Sequence, residues 1–182
     1  MPRTRAAESR DDKMSEILDA AEGRLREGGY EALSVAAMAR ELGLAQNAIY
    51  WYFPSKDELF VATLNRMLEK IAARKPSKRV GELERILWFT DQLEVVSGLR
   101  GAMNDRARSS PVVAAFVEQL DALLSRMLSN VLRGHLRERD LSLAVEAFRA
   151  TVDGAFAKGL DKRDRRKVLA FSLDRLTGGS LS

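Results

Sequence analysis

The sequence predicts an all-α chain in two parts: an N-terminal domain of three short helices and a longer C-terminal helical bundle. Three observations carry this expectation. Every periodic stretch repeats its apolar residues at three- and four-residue spacing, and no stretch alternates apolar with polar as a half-buried strand does. Gly, Pro, Ser and Asp stand at the ends of those stretches, where helices stop and start. Pro76 then stops the helical pattern, and Pro76 to Arg79 is the best domain boundary. The expected parts are a flexible arm over 1–12, a head over 13–75 and a regulatory part over 76–182.

The elements follow in order. Met14, Ile17, Leu18, Ala21 and Leu25 line one face of a helix that Asp11 or Asp12 caps and Gly28-Gly29 ends. Ser34 caps a short second helix with Val35, Met38, Ala39 and Leu42 on its apolar stripe, and Gly43 closes it in a left-handed conformation. A third helix starts near Ala45 and runs to about Tyr52, before Pro54 breaks it. Ser55-Lys56-Asp57-Glu58 reads as a capping box opening a long helix with Leu59, Ala62, Thr63, Met67 and Ile71. Beyond Pro76, a helix carries Leu83 to Leu93, and Gly98 to Pro111 is polar and irregular with room for one short helix at 103–107. Ser110-Pro111 opens a long amphipathic helix from Val113 to Val131. Asp140 caps another reaching Phe156, and a last helix spans about Asp164 to Leu176.

Composition narrows the function classes. The chain has 182 residues, 46% of them hydrophobic and 31% charged, which is ordinary globular usage. It has no Cys, so disulfides, thiolate metal sites and Cys nucleophiles are excluded. No apolar run approaches the roughly 20 residues of a membrane helix, and the polar N-terminus is not a secretory signal. A net charge of +4 permits a polyanionic partner without demanding one. Two basic clusters, around Lys70 to Arg79 and Lys158 to Lys167, read as solvated helix ends. Phosphate loops, glycine-rich dinucleotide turns, metal-ligand pairs at helical spacing and a nucleophile beside a base are all missing from the sequence. An enzyme is not expected, nor is a cofactor. His135, the single histidine, reads as a helix-end cation.

The signal lies between Ser34 and Leu59. A helix ending at Leu42-Gly43-Leu44 with another starting at once is a helix-turn-helix arrangement. In such units the second helix enters the DNA major groove and its first residues meet base edges. Here those residues are Ala45, Gln46, Asn47 and Ala48. Gln and Asn suit adenine, and Ala suits a thymine methyl. The next residues are a run of four aromatics, Tyr50-Trp51-Tyr52-Phe53, although aromatics make up 7% of the chain. A helix cannot bury four consecutive rings, so some must face outward. Tyr50 sits one turn beyond Gln46 and Asn47. Trp51 and Tyr52 can donate to phosphates, and Phe53 turns back into the core. Lys56, beside Ser55 at a helix N-terminus, makes a phosphate site by charge and dipole together. Arg3, Arg5 and Arg10 form either a minor-groove arm or a solvated tail.

The stretch SVAAMARELGLAQNAIYWYFPSKDEL, residues 34–59, closely resembles the signature of the TetR family of bacterial transcriptional regulators. Ser34, Met38-Ala39, Leu42-Gly43-Leu44, Ile49-Tyr50, Tyr52-Phe53 and Ser55-Lys56 carry the likeness, with Gly29-Tyr30 and the Ile17 to Ala21 helix before them. It is strong over about 13–70 and only architectural beyond. The resemblance implies a cytoplasmic homodimer on a near-palindromic operator in double-stranded DNA, usually a repressor, released by a small-molecule effector. The alternative is a ligand-independent DNA-binding or protein-interaction module of the same fold with a closed pocket. Carried over by position, DNA contacts fall on Ser34, Ala36, Gln46, Asn47, Tyr50, Trp51, Tyr52 and Lys56. The last two helices imply a dimer interface at Val145, Phe148, Val152, Phe156, Leu169 and Leu173. Trp88, Phe89, Met103, Phe116, Met127 and Phe148 are the expected pocket lining. Ala45 departs from the pattern, where a capping Ser or Thr is common, and Ala36 offers no polar group. The C-terminal part is short for the family.

Overall fold

A computed structural model describes residues 5–77 and 79–181, with side chains from residue 10 onward. It holds ten helices among those residues: α1 Arg5–Ala32, α2 Val35–Glu41, α3 Gln46–Tyr52, α4 Lys56–Ala73, α5 Glu82–Gln92, α6 Glu94–Gly98, α7 Arg100–Ala107, α8 Pro111–Leu132, α9 Glu138–Ala157 and α10 Lys162–Thr177. The chain groups into two compact units. One takes the residues up to Lys70 together with Leu99–Val117, and the other takes Ile71–Gly98 and Glu118–Ser182. The sequence-based partition at 75/76 differs in two respects: Leu99–Val117 packs with the N-terminal helices, and Ile71 to Lys75 group with the second unit.

In the first unit, α1 starts at Arg5, well before the expected cap at Asp11 or Asp12, so 5–12 is helical and not a flexible arm. Ala, Glu and Arg in that stretch are good helix formers, and a continuous helix needs no cap at its middle. Arg3 lies outside the described residues, as does the side chain of Arg5. Gly28 and Gly29 interrupt the helix with non-helical dihedrals. Gly29 has φ 67°, and a Cβ there would stand 3.8 Å from Leu99 Cδ2, so the strain falls on the backbone. Ile17, Ala21, Leu25, Met38, Ile49 and Leu64 are buried at the centre of this unit, joined by Met103, Val113 and Phe116 from the later segment. The short helix for which the sequence left room at 103–107 is longer, running over Arg100–Ala107, and Met103 on it is buried. Charge pairs tie α4 to α1: Arg66 donates to Ser15 O and Asp19 Oδ1, each at 2.7 Å, and Lys70 to Glu22 Oε2 at 2.7 Å. Lys70 therefore is not the solvated charge its sequence neighbourhood suggested.

The second unit is built around Leu87, Leu128, Leu132, Leu141, Phe148, Leu169 and Leu173. Helix α9 begins after Arg137, not at Asp140. Asp140 sits inside the first turn, where Arg137 Nε donates to it at 2.8 Å. Asp161 caps α10, accepting from the Asp164 N–H at 2.8 Å, so the helix starts at Lys162, two residues ahead of the expected start. His135 is a tether and not a simple end cation, with Nε2 2.7 Å from Glu82 Oε2 and Nδ1 3.0 Å from Ser180 Oγ.

Two sequence expectations change here. Val145, Phe148, Leu169 and Leu173, named for a dimer interface, are buried in this unit's own core, with Val152 packed against it. Phe156 is half-buried, 4.5 Å from the Arg165 guanidinium. The heptad-like face of α9 and α10 satisfies its own subunit first, because adjacent helices on a short connection bury their apolar stripes against each other. The exposed large apolar residues on these helices are instead Leu143, 74% exposed, Phe171, 63% exposed, and Val168. The basic cluster at 158–167 is likewise not merely solvated. Arg165 is 1% exposed, and Arg166 donates to Asp91 Oδ2 at 2.7 Å and to Glu84.

Candidate nucleic-acid interface

The site grows from a turn and two short helices. Ser34 is extended and its Oγ accepts from the Ala37 N–H at 3.3 Å, which fixes the start of α2. Val35, Met38 and Ala39 face inward. The chain then reverses. Leu42 N–H donates to Met38 O at 2.9 Å, and Leu44 N–H to Ala39 O at 2.8 Å, across Gly43 at φ 64°. That conformation is costly for any residue with a Cβ. Ala45 is extended and starts α3 with no side-chain cap bond. Ile49 is the buried residue of α3, and Phe53, just past its end, is buried too.

Anchoring through Ile49 leaves Gln46, Asn47, Tyr50 and Trp51 exposed. A seven-residue helix that presents amides, a phenol and an indole to solvent is poorly explained by folding alone. Trp51 is 64% exposed. Tyr52 packs edge-on against it, with ring centroids 4.9 Å apart, and the Arg10 guanidinium lies 4.6 Å from its ring centroid. The extension of α1 therefore brings a cation to the end of α3. The outward aromatics combine flat apolar faces with N–H and O–H donors, a set suited to phosphates and sugars.

The third part is the start of α4. Pro54 precedes it, and Ser55 Oγ accepts from the Glu58 N–H at 3.1 Å. Lys56 is half-buried, its Nζ 4.0 Å from the Tyr30 ring centroid. Asp57, 9% exposed, accepts from Arg106 Nε at 3.0 Å and Nη2 at 2.7 Å, and from the Tyr30 hydroxyl at 2.6 Å. The Arg106 hydrogen bonds hold the Asp57 carboxyl down at about 2 against the opposing effect of burial, with Tyr30 and Ser110 hydrogen bonds adding to the shift. Burial pushes the Tyr30 phenol up to about 12, and the bond to Asp57 acts in the same direction. Tyr30 stays a neutral donor and Asp57 a charged acceptor across the ordinary pH range.

All eight expected DNA-contact residues thus lie on three consecutive elements. Ser34 is exposed, with its hydroxyl engaged in capping, and Ala36 is half-buried. Gln46, Asn47, Tyr50 and Trp51 are exposed, whereas Tyr52 and Lys56 are half-buried. The six expected pocket residues do not form one set. Met103 and Phe116 are buried in the first unit. In the second, Phe148 is core, Trp88 and Phe89 are half-buried and Met127 is exposed. An open depression in the second unit has His135, Arg137, Asp140, Leu143 and Leu176 in its lining and none of those six. Among the described residues no group of three His, Asp or Glu is placed to hold a metal. Sequence reasoning named Arg10 only within a minor-groove arm or solvated tail, and it missed Arg106 and the role of Asp57, which reads as an ordinary helix N-terminal charge. Gly29-Tyr30 was the one visible hint of the network.

Comparison with known proteins agrees with this geometry. Residues 17–63 match the family model described as bacterial regulatory proteins, tetR family. The HTH-type transcriptional repressor KstR of Mycolicibacterium smegmatis is 38% identical over 68 residues, 37% of this chain and 33% of that protein. The repressor of the same name from Rhodococcus jostii is 29% identical over 133 residues, 66% of this chain and 60% of that protein. The matches therefore span less than two thirds of the length of these curated relatives. A transcriptional regulator from Saccharomonospora viridis, solved in complex with choline, shares the fold with a TM-score of 0.76 at 17% identity, over 90% of this chain and 96% of that one.

Proposed function

The chain belongs to the TetR family of bacterial regulatory proteins, and from that premise we propose that it is a sequence-specific DNA-binding regulator of transcription, a homodimeric repressor released from a near-palindromic operator by a small molecule. One observation carries the reading: α3 buries Ile49 and leaves Gln46, Asn47, Tyr50 and Trp51 facing out. Gln46 and Asn47 read base edges, while Tyr50, Trp51, Tyr52 and Lys56 hold the backbone, with Ser34 and Ala36 beside it. The relatives are named as regulators and not as enzymes.

The dimer in this proposal forms through the outer faces of α9 and α10, with Leu143, Val168 and Phe171 at its centre, since the inner faces are already buried. An effector would act by binding more tightly to the dimer geometry that cannot span two half-sites. The choline held by the Saccharomonospora viridis protein supports a ligand role for this fold, without naming the ligand here. No helix among the described residues is long and apolar enough to cross a membrane, and the cytoplasm is the compartment this reading implies. A second reading, the same fold working without an effector, is favoured by Phe148 sitting in the core and Met127 sitting outside it.

The test is selection of genomic fragments by the purified chain at physiological salt, beside a Tyr50→Ala, Lys56→Ala variant. Recovery of one near-palindromic site by the wild type alone is expected. Recovery of only unspecific DNA by both proteins overturns the reading.

A further inference from the structure

We propose that Arg106, on α7, is a positioning residue for the phosphate contact at Lys56: it engages Asp57, which fixes the Tyr30 ring on which the Lys56 ammonium rests. The inference rests on the DNA-binding reading above and assigns to it a residue far from α3 in the sequence.

The geometry runs through named contacts. A lysine is a point charge on a four-carbon stem, and its ammonium is free to sample many positions. Here it lies 4.0 Å from the Tyr30 ring centroid, where the negative face of the ring attracts it. That ring has three further contacts, one of them the Arg106 guanidinium itself, 5.6 Å from the ring centroid. Phe60 packs edge-on at 5.0 Å between centroids, and the Tyr30 hydroxyl donates to Asp57 Oδ1 at 2.6 Å. Asp57 is set in turn by the two bonds from Arg106, one to each carboxylate oxygen. A planar guanidinium fixes both distance and orientation in a way a single bond does not.

Arg106 also does something by occupation. Asp57 adjoins Lys56 in the chain, and a carboxylate with open lone pairs would draw the neighbouring ammonium toward itself. With Asp57 satisfied by Arg106, Tyr30 and Ser110, Lys56 is left on the ring face beside the N-terminus of α4. The charge and the helix dipole then act on the same anion. Without Arg106, Asp57 competes with DNA phosphate for Lys56.

The experiment is a double-mutant cycle on the full chain, with a labelled duplex carrying the recovered site, titrated at several salt concentrations. Lys56→Ala is expected to flatten the dependence of log K on log salt by about 0.9, one phosphate's worth. Arg106→Ala is expected to weaken binding and flatten the slope in the wild-type background, and to change neither by more than about twofold once Lys56 is already Ala. An equal loss in both backgrounds makes Arg106 an independent or direct contact and overturns the proposal, as does no loss at all.

Tyr30→Phe serves if Arg106→Ala melts early. It keeps the ring and the Phe60 packing and removes only the tether to Asp57. A smaller loss of the same kind, again absent beside Lys56→Ala, is expected, and wild-type slope and affinity overturn the proposal. Failure of the wild-type chain to recover any site sinks the DNA-binding reading itself. Recovery with additive variants sinks only this inference.

Discussion

Two buried charges, one in each unit, are satisfied in opposite ways. In the first, Asp57 is nearly sealed from solvent, and both of its oxygens accept hydrogen bonds from Arg106, with Tyr30 on one of them. In the second, Arg165 is more deeply buried still, yet its Nε has no hydrogen-bond partner among the described residues, and neither has Asp91 Oδ1. Its contacts are long: 3.3 Å to Glu94, 3.7 Å to Asp91 Oδ1 and 4.5 Å to the Phe156 ring. A fully paired network repays desolvation and fixes one geometry, whereas a half-paired one costs stability and specifies less. The first unit carries the proposed DNA surface, and Asp57 beneath it is fully matched, although Arg24 Nε on α1 of the same unit has no hydrogen-bond partner among the described residues.

Breaking each network measures that difference. The largest effect is expected from Asp91→Ala. It strands Arg165 with one carboxylate at 3.3 Å and removes the 2.7 Å bond to Arg166. A loss of about 3 to 5 kcal/mol is expected by chemical denaturation. A loss below about 1 kcal/mol would mean that water already satisfies Arg165.

Asp57→Asn comes next, at about 2 kcal/mol, because a neutral amide keeps one acceptor for Arg106 and loses the charge assistance. The same carboxylate sets an acid limit. Its pKa is depressed from 3.8 to about 2 in the folded chain. Its contribution is therefore fully present above pH ~4 and is lost as pH falls toward ~2. Denaturation profiles of wild type and Asp57→Asn should converge over that window, and parallel profiles would contradict the pairing.

Ala45→Ser is a gain within the first unit. α2 has a side-chain cap at Ser34 and α3 has none at Ala45. The substitution should stabilise by about 1 kcal/mol, read as a raised melting temperature. An unchanged or lowered value would mean that the extended backbone at Ala45 cannot present the hydroxyl to α3. The smallest change is expected from Arg165→Met. Asp91 keeps Arg166 at 2.7 Å and Lys162 at 3.5 Å, so removing the poorly paired charge should move stability by less than about 1 kcal/mol in either direction. A large loss would place Arg165 in the same class as Asp57 and erase the contrast between these two charges.

Much of the head was legible because its signals are local. Ser34, Gly43, Pro54 and Ser55 sit within a few residues of the helix ends they define, and the structure places those ends within a residue or two of expectation. The outward face of α3 follows from Ile49 being its apolar anchor in a run of polar and aromatic residues. The C-terminal helices were legible as helices, but not which of their apolar faces pack inside the subunit. Both faces carry large apolar residues at helical spacing, and periodicity alone cannot rank them. Leu169 and Leu173 are buried, while Val168 and Phe171 on the same helix are exposed.

The sequence by itself determined the all-α architecture, the turn at Gly43 and the identity of the groups that α3 presents, because helix period and end chemistry are read over a few neighbouring residues. Only the tertiary structure decided which charges are buried and what satisfies them. Arg106 meets Asp57 across 49 positions, and Arg166 meets Asp91 across 75. No local pattern marks either arginine. A charge is stable out of water only when partners from elsewhere in the chain arrive with matching geometry, and that match exists only once the chain has folded.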